Sequence, residues 1–256
     1  MEEDSQENII SLVNSIFNVG EFTKTEFTLE FKITDIEFQT KFEDLARELE
    51  NMSYVCKLLK KNNEIYVQIQ KFTIKKARKL LNATWTPRFL FVIVISFVMI
   101  DGYYRTSGTN AIVEIGDPFQ MAMVYTLALL GILGTHELGH IIAAKMHRLK
   151  TSWPYFIPGL PVIGIPTFGA FIQSKGLTIN RRILFDVAIA GPIAGLVITM
   201  IVSLYGAYTA PILDQEIAEG LFADKILIEW EQGEPLLMTA SLAVFGKGGP
   251  GHEVIM

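Results

Sequence analysis

Cysteine is nearly absent from this chain. Cys56 is the sole one in 256 residues, which excludes a disulfide framework and a cysteine-based metal cluster. An excess of positive charge is missing too, and the net charge of −5 argues against nucleic acid as a partner. The N-terminus, Met1-Glu2-Glu3-Asp4-Ser5, is acidic; it has neither the layout of a secretory signal nor the arginines of a transit peptide. No long apolar run occurs before Phe89, which leaves room for a separate soluble domain ahead of it. What the chain has in abundance is apolar side chains. They make up 50% of the residues, the mean hydropathy is +0.34, and they cluster in blocks, a composition too apolar for an ordinary soluble domain.

Ahead of those blocks the periodicity is that of a small α+β module. Ile9, Ile10, Val13, Ile16 and Phe17 fall at helical spacing, so residues 1–20 are expected to form an amphipathic helix. Phe27, Leu29 and Phe31 alternate with polar residues, which predicts a single strand from Phe22 to Ile33. Phe42, Leu45 and Leu49 return to helical spacing over Phe38 to Met52, and Tyr54–Leu59 and Glu64–Gln70 read as two strands around Lys60-Lys61-Asn62-Asn63. The expected order is strand, helix, hairpin, in a unit of about 50 residues. It holds no catalytic constellation, so docking or regulation stands against a plain folding spacer.

Beyond it, three apolar segments are long enough to cross a bilayer, at about 85–104, 119–146 and 187–209. The apolar run of the first, Phe89–Ile100, ends at Asp101, and Trp85 and Tyr103-Tyr104 flank it as interface anchors. Basic residues crowd the stretch before the first span (Lys71, Lys75, Lys76, Arg78, Lys79, Arg88) and the stretch after the second (Lys145, Arg148, Lys150, Lys175, Arg181, Arg182). The loop from Gly102 to Pro118 carries one basic residue, Arg105, against Glu114 and Asp117. The tract after the third span is acidic (Asp214, Glu216, Glu219, Asp224, Glu229, Glu231, Glu234) and includes only Lys225. The positive-inside bias therefore places the N-terminus in the cytoplasm and the acidic tract outside. The expected fold class is an α-helical polytopic membrane protein with a small N-terminal α+β cytoplasmic domain and a re-entrant proline-rich hairpin. Its expected parts are a soluble module and basic linker (1–83), a membrane core (84–210) and an acidic extracytoplasmic segment (211–256).

The second span carries the chemistry. It contains Gly131-Ile-Leu-Gly-Thr-His136-Glu137-Leu-Gly-His140, and from Phe119 up to Lys145 those three are the only carboxylate, imidazole or basic side chains. His136 and His140, four apart, project from one helical face and make half of a tetrahedral zinc site. Glu137 lies beside His136, where it can take a proton from a metal-bound water. The plain alternative is a histidine packed in a core. Three ionisable groups in an apolar helix weigh against it, because such groups are costly there and mark function. Gly134 and Gly139 are expected to let another helix approach closely.

Trp153 to Gln173 is apolar but holds Pro154, Pro158, Pro161 and Pro166, which rule out a continuous spanning helix. Ile165 to Gln173 alternates as a strand does. The preferred reading is a re-entrant loop and hairpin lying at the membrane surface near the zinc, with a strand edge that could pair with an unwound substrate segment; the alternative is a plain membrane-surface loop. In Phe185-Asp186-Val-Ala-Ile-Ala-Gly191-Pro192-Ile-Ala-Gly195 the two glycines give a small-x-x-x-small face for helix contact. Pro192 predicts a bend, and Asp186 can cap the helix or reach the site, the cap being the preferred reading. A short helix is expected at Leu236–Phe245, before the glycine-rich stretch 246–251.

Taken together, Gly134-Thr-His-Glu-Leu-Gly-His140, Pro166-Thr-Phe-Gly-Ala170 and Phe185–Gly195 resemble the site-2 protease family of intramembrane zinc metalloproteases. The resemblance is to the branch with archaeal, cyanobacterial and plant chloroplast "ethylene-dependent gravitropism-deficient and yellow-green" members, and covers about residues 85–210. It implies hydrolysis of a transmembrane or membrane-proximal peptide bond, a zinc cofactor held by His136 and His140, and Glu137 as general base. It also implies a transmembrane protein substrate and a multi-pass place in a membrane, expected to be a prokaryotic cell membrane; oligomeric state stays open. The family takes a third zinc ligand from an Asp-Gly pair in a later spanning helix, and no such pair follows the third span here. The chain is therefore expected to be a truncated product of a longer gene, with little protease activity and weakened zinc affinity. A non-catalytic scaffold that binds transmembrane clients is the competing class, and a metal transporter or sensor using His136 and His140 is a third. A transport site has no need of a general base such as Glu137.

Overall fold

The computed structural model describes residues 3–25, 28–72, 85–174, 180–210, 212–214, 219–220, 236–245 and 252–254. The expectations for Glu26 and Phe27, for the basic linker from Lys75 to Lys79, for Lys175, for most of the acidic tract and for the glycine-rich stretch fall outside the described residues. The fold is mostly helical, with a small N-terminal α+β region, and its contacts divide into two compact units.

The first unit runs α1 (Glu3–Ile16), β1 (Val19–Lys24), β2 (Thr28–Ile33), α2 (Phe38–Asn51), β3 (Tyr54–Lys61) and β4 (Glu64–Lys71). Its sheet is antiparallel throughout, in the order β1-β2-β4-β3. Period-2 alternation turns Leu29, Phe31 and Ile33 of β2 and Val67 and Ile69 of β4 to one face. There they meet Ile9, Val13 and Phe17 from the α1 side and Phe42, Leu45 and Leu49 of α2 in one buried core. Two expectations change. The single strand Phe22–Ile33 is a hairpin of two strands, because Thr25 bonds back to Thr28, and the alternating burial belongs to β2, β1 being largely exposed. The order is helix, hairpin, helix, hairpin, since α1 belongs to the core and does not precede it. Asn62 and Asn63 both sit at positive φ, 49° and 67°, the conformation a two-residue hairpin loop requires.

The second unit contains three long apolar helices, α3 (Thr86–Asn110), α4 (Pro118–Met146) and α5 (Arg181–Thr209). Each is long and apolar enough to cross a membrane. Pro87 and Pro118 stand at the first positions of α3 and α4, where a missing N–H costs nothing. Asp117 caps α4 by accepting from the N–H of Gln120 at 2.9 Å. Both outer helices exceed their expected bounds. α3 continues past Tyr104 to Asn110, so Asp101 lies inside it and is 3% exposed. α5 begins at Arg181, so Asp186 lies inside the helix and does not cap it. The loop-like region between α4 and α5 is a two-stranded antiparallel hairpin, β5 (Tyr155–Leu160) and β6 (Ile165–Phe171), with a one-turn 3-10 helix at Pro161–Ile163 between them. Phe156 at its base packs with Val94 and Val98 of α3 and with Leu129, Leu130 and Leu133 of α4. Toward the C-terminus lie a short helix, α6 (Leu236–Phe245), and an antiparallel strand pair that was not expected, β7 (Ile212–Asp214) with β8 (His252–Val254). Ser203 of α5 and the buried Ser241 of α6 share a hydrogen bond of 2.8 Å between hydroxyls.

In the first unit, the Lys41 ammonium on Oδ1 (2.5 Å) and the Asn18 N–H on Oδ2 (2.7 Å) hold the Asp35 carboxyl below the usual carboxylate range. A carboxyl whose pKa is depressed on folding adds stability above its unfolded value of about 3.9, lost as pH falls through the folded value. Asp35→Asn should therefore lower the unit's urea midpoint at neutral pH and flatten its decline in acid. Hydrogen exchange of peptides from residues 3–72 across a urea series reads both.

Candidate metal centre

His136, Glu137 and His140 lie in the C-terminal half of α4, where the apolar run continues unbroken on both sides. The i, i+4 spacing brings the two imidazoles together as the helix requires. Their ring centroids are 4.9 Å apart and their planes stand at 75°. The two Nε2 atoms are 3.2 Å apart. Two imidazoles on a tetrahedral ion, each at about 2.0–2.1 Å, have nitrogens roughly 3.3 Å apart, so the observed separation suits a chelate as well as a nitrogen–nitrogen hydrogen bond.

The remaining nitrogen of His140 fixes which tautomer is present. Its Nδ1 lies 2.7 Å from the carbonyl oxygen of Val187 on α5, and a carbonyl can only accept. Nδ1 therefore donates, and Nε2 carries the lone pair a metal needs. Glu137 is one residue on from His136, about 100° further round the helix, and is 5% exposed. Burying an ionisable carboxyl is expensive and calls for a compensating use.

α5 closes the site from one side, antiparallel to α4. The contacts run in order: Gly131 beside Ile198, His136 beside Gly195, Gly139 beside Ala190 and Ala194, His140 beside Gly191. His147 Nε2, just past the end of α4, reaches Asp186 Oδ2 at 3.1 Å. A methyl group on Gly191 would stand 2.2 Å from His140 Nε2, and one on Gly195 would stand 3.2 Å from His136 Cβ and Nδ1. The small face of α5 thus makes room for the imidazoles, beyond the helix contact its spacing predicts. Gly139 serves close approach, since a methyl there would sit 2.5 Å from the Ala190 carbonyl oxygen. Gly134 does not, since a methyl there would meet open space.

The donor chemistry fits zinc at two corners, both from α4. Among the described residues no cluster of three His, Cys, Asp or Glu side chains gathers, so they supply two of the three protein ligands usual for catalytic zinc. The sequence points to His136, Glu137 and His140 as the candidate site, whereas Val187, whose contribution is a backbone carbonyl, leaves no such signal. Asp186, weighed as a cap or as reaching the site, pairs with His147.

Residues 124–244 match Peptidase family M50. Over 87 residues the chain is 38% identical to the "Probable zinc metalloprotease EGY1, chloroplastic" of Arabidopsis thaliana, covering 34% of this chain and 15% of that one. To the "Probable zinc metalloprotease EGY2, chloroplastic" of the same plant it is 39% identical over 80 residues, covering 31% and 14%. To the similarly described EGY1 of Oryza sativa subsp. japonica it is 38% identical over 79 residues, covering 30% and 13%. The chain thus aligns with well under a fifth of each relative's length. No solved structure matches it.

The crowding at His140 makes a graded prediction. Gly191→Ala should weaken zinc binding by at least about tenfold, the size that disturbing a ligand's support carries. Gly195→Ala, with more room, should weaken it less. Zinc content of the purified protein, titrated against a chelator, checks the order, and equal affinities would contradict the packing described.

Proposed function

The chain carries a peptidase family M50 (site-2 protease) domain, and from that premise we propose that it is an intramembrane zinc metalloprotease that hydrolyses peptide bonds of transmembrane substrates. Zinc is the family's metal, and cleavage of membrane-embedded substrates is general in it. The observation that carries the reading for this chain is the pair of imidazoles with Nε2 atoms 3.2 Å apart, one turn of α4, with a buried carboxyl between them in sequence. His136 and His140 would hold the zinc through Nε2. When bound, zinc supplies a Lewis acid that polarises water and the scissile carbonyl. Glu137 would act as general base, accepting the proton of the attacking water and returning it to the leaving amine. Val187 would keep His140 in its ligating tautomer.

A membrane setting is supported by what the helices leave uncovered. α4 and α5 have 29 residues each, about 43 Å at the helical rise. Leu127, Ile142 and Met146 on α4 and Phe185, Leu196 and Ile201 on α5 are all more than half exposed. Such a surface calls for an apolar solvent. With the basic residues on the N-terminal side of α3 and after α4, the N-terminus and the site's end of α4 would face the cytoplasm. Residues 1–83 would form a cytoplasmic module with its linker, 84–210 the membrane core and 211–256 an extracytoplasmic segment. The β5–β6 hairpin would enter the membrane beside α3 and offer its free edge to an unwound substrate strand. Of the two strands, β6 carries Ile165, Phe168 and Phe171, all well exposed.

A scaffold that binds transmembrane clients without cutting them keeps this fold, and the two-ligand donor set is the observation in its favour. Glu137 separates the two. Glu137→Gln should leave zinc bound while lowering cleavage of a membrane-embedded reporter by about 10²–10⁴-fold, the range for losing a general base. His136→Ala and His140→Ala should release the zinc itself. Zinc retention with a residual cleavage rate unchanged by Glu137→Gln would sink the protease reading and leave the scaffold.

A further inference from the structure

Arg105, away from the metal centre in sequence, joins α3, α4 and the tip of the hairpin. Its Nε donates to Asp101 Oδ2 at 2.7 Å, one turn earlier in α3. Its Nη2 donates to the carbonyl oxygen of Gly164 at 2.9 Å, and its guanidinium lies 5.8 Å from the centre of the Tyr125 ring of α4. The Tyr125 hydroxyl donates to the same Asp101 oxygen at 2.9 Å. Asp101 is 3% exposed, in the middle of an apolar helix. A buried carboxylate there has to be compensated, and Arg105 and Tyr125 compensate it.

The guanidinium goes further than compensation. Its flat fork presents donors in two directions, one to Asp101 and the other to the hairpin tip. Gly164 closes the 3-10 turn at φ +77°, a backbone state that glycine adopts freely. A methyl there would press to 3.1 Å from Arg105 Nη2. The other end of the hairpin is held by Phe156 and Ala170, packed near Leu129, Leu130 and Leu133. Leu133 is three residues before His136, about 4.5 Å along the helix axis. The hairpin is thus pinned twice, by apolar packing beside the metal helix and by one guanidinium at its tip.

We propose that Arg105 is a positioning residue: by clamping the Gly164 tip to α3 it fixes the register of the β5–β6 hairpin, and with it the strand edge that receives substrate. The receiving edge rests on the protease reading above; the clamp itself does not. Lysine separates the two roles. Its ammonium can pair with Asp101, so the buried charge stays balanced, but it lacks the second arm toward Gly164.

The experiment places spin labels at Gly108, where a side chain meets open space, and at the exposed Ile163, in a Cys56→Ala background of the full chain in lipid. Wild type should give one narrow distance. Arg105→Lys should keep the wild-type melting temperature and lose that narrow distance, and Arg105→Gln should lose both. With a cleavable reporter, Arg105→Lys should raise KM about tenfold, the equivalent of one hydrogen bond, and leave kcat unchanged. A narrow wild-type distance that survives Arg105→Lys overturns the clamp, as does a broad distance in wild type. If wild type cleaves no reporter, the protease reading fails, and the distances still decide the clamp.

Discussion

An ionisable side chain set among apolar helices has to find its partner inside the protein, because hydrocarbon supplies none. This constraint orders most of the second unit. His140 turns Nδ1 to the Val187 carbonyl, Asp101 gathers Arg105 and Tyr125, and His147 meets Asp186. Apart from the α3-internal Asp101–Arg105 bond, each pairing ties residues far apart in sequence. The polar groups therefore do what the apolar surface cannot: they say which helix lies against which, and in what register. Leucine and isoleucine faces are interchangeable along a helix, whereas a carbonyl within 2.7 Å of one nitrogen is not.

The same pairings demand short distances between backbones, and the small residues of α5 meet that demand. His140 can reach Val187 only if α5 approaches closely, and it approaches at Gly191 and Gly195, where any side chain would strike an imidazole. Gly139 answers from α4. Gly102 does likewise between α3 and α4: a methyl on it would lie 2.7 Å from the Tyr125 ring, so its absence lets that hydroxyl reach Asp101. Small residues and ionisable residues thus occur side by side because the second cannot be buried without the first.

What was legible in the sequence follows this division. Patterns carried by one segment could be read: the helical spacing of Phe42, Leu45 and Leu49, the alternation of Leu29 and Phe31, the four prolines that forbid a helix at 153–173, and the apolar helix Leu236–Phe245. Boundaries failed where a charged residue sat inside an element. Asp101 was read as the end of an apolar run and Asp186 as a cap, because a carboxylate marks an edge unless a partner is known. Arg105 is a local i, i+4 partner of Asp101, but Tyr125 and the His147 that meets Asp186 become visible only in three dimensions. The imidazole pair was legible because i, i+4 geometry is local. The Val187 carbonyl was not, since a backbone acceptor leaves no mark on composition.

The hairpin brings one further consequence of the opening constraint. A two-stranded sheet leaves one row of N–H and C=O groups unpaired along each outer edge, and such groups cannot rest against lipid. If β5–β6 enters the membrane as proposed, it would therefore require either water or another strand along its open side. A hydrolase built among apolar helices needs both in turn: water as a reactant, and a substrate held extended, since a helix shields its own peptide bonds. On the protease reading proposed above, the edge that would be a liability in a structural element could admit water when empty and exchange it for a peptide strand when occupied. With that edge fixed at both ends, by apolar packing near Leu133 and by Arg105 at the tip, the proposed exchange would be restricted to one register relative to His136 and His140.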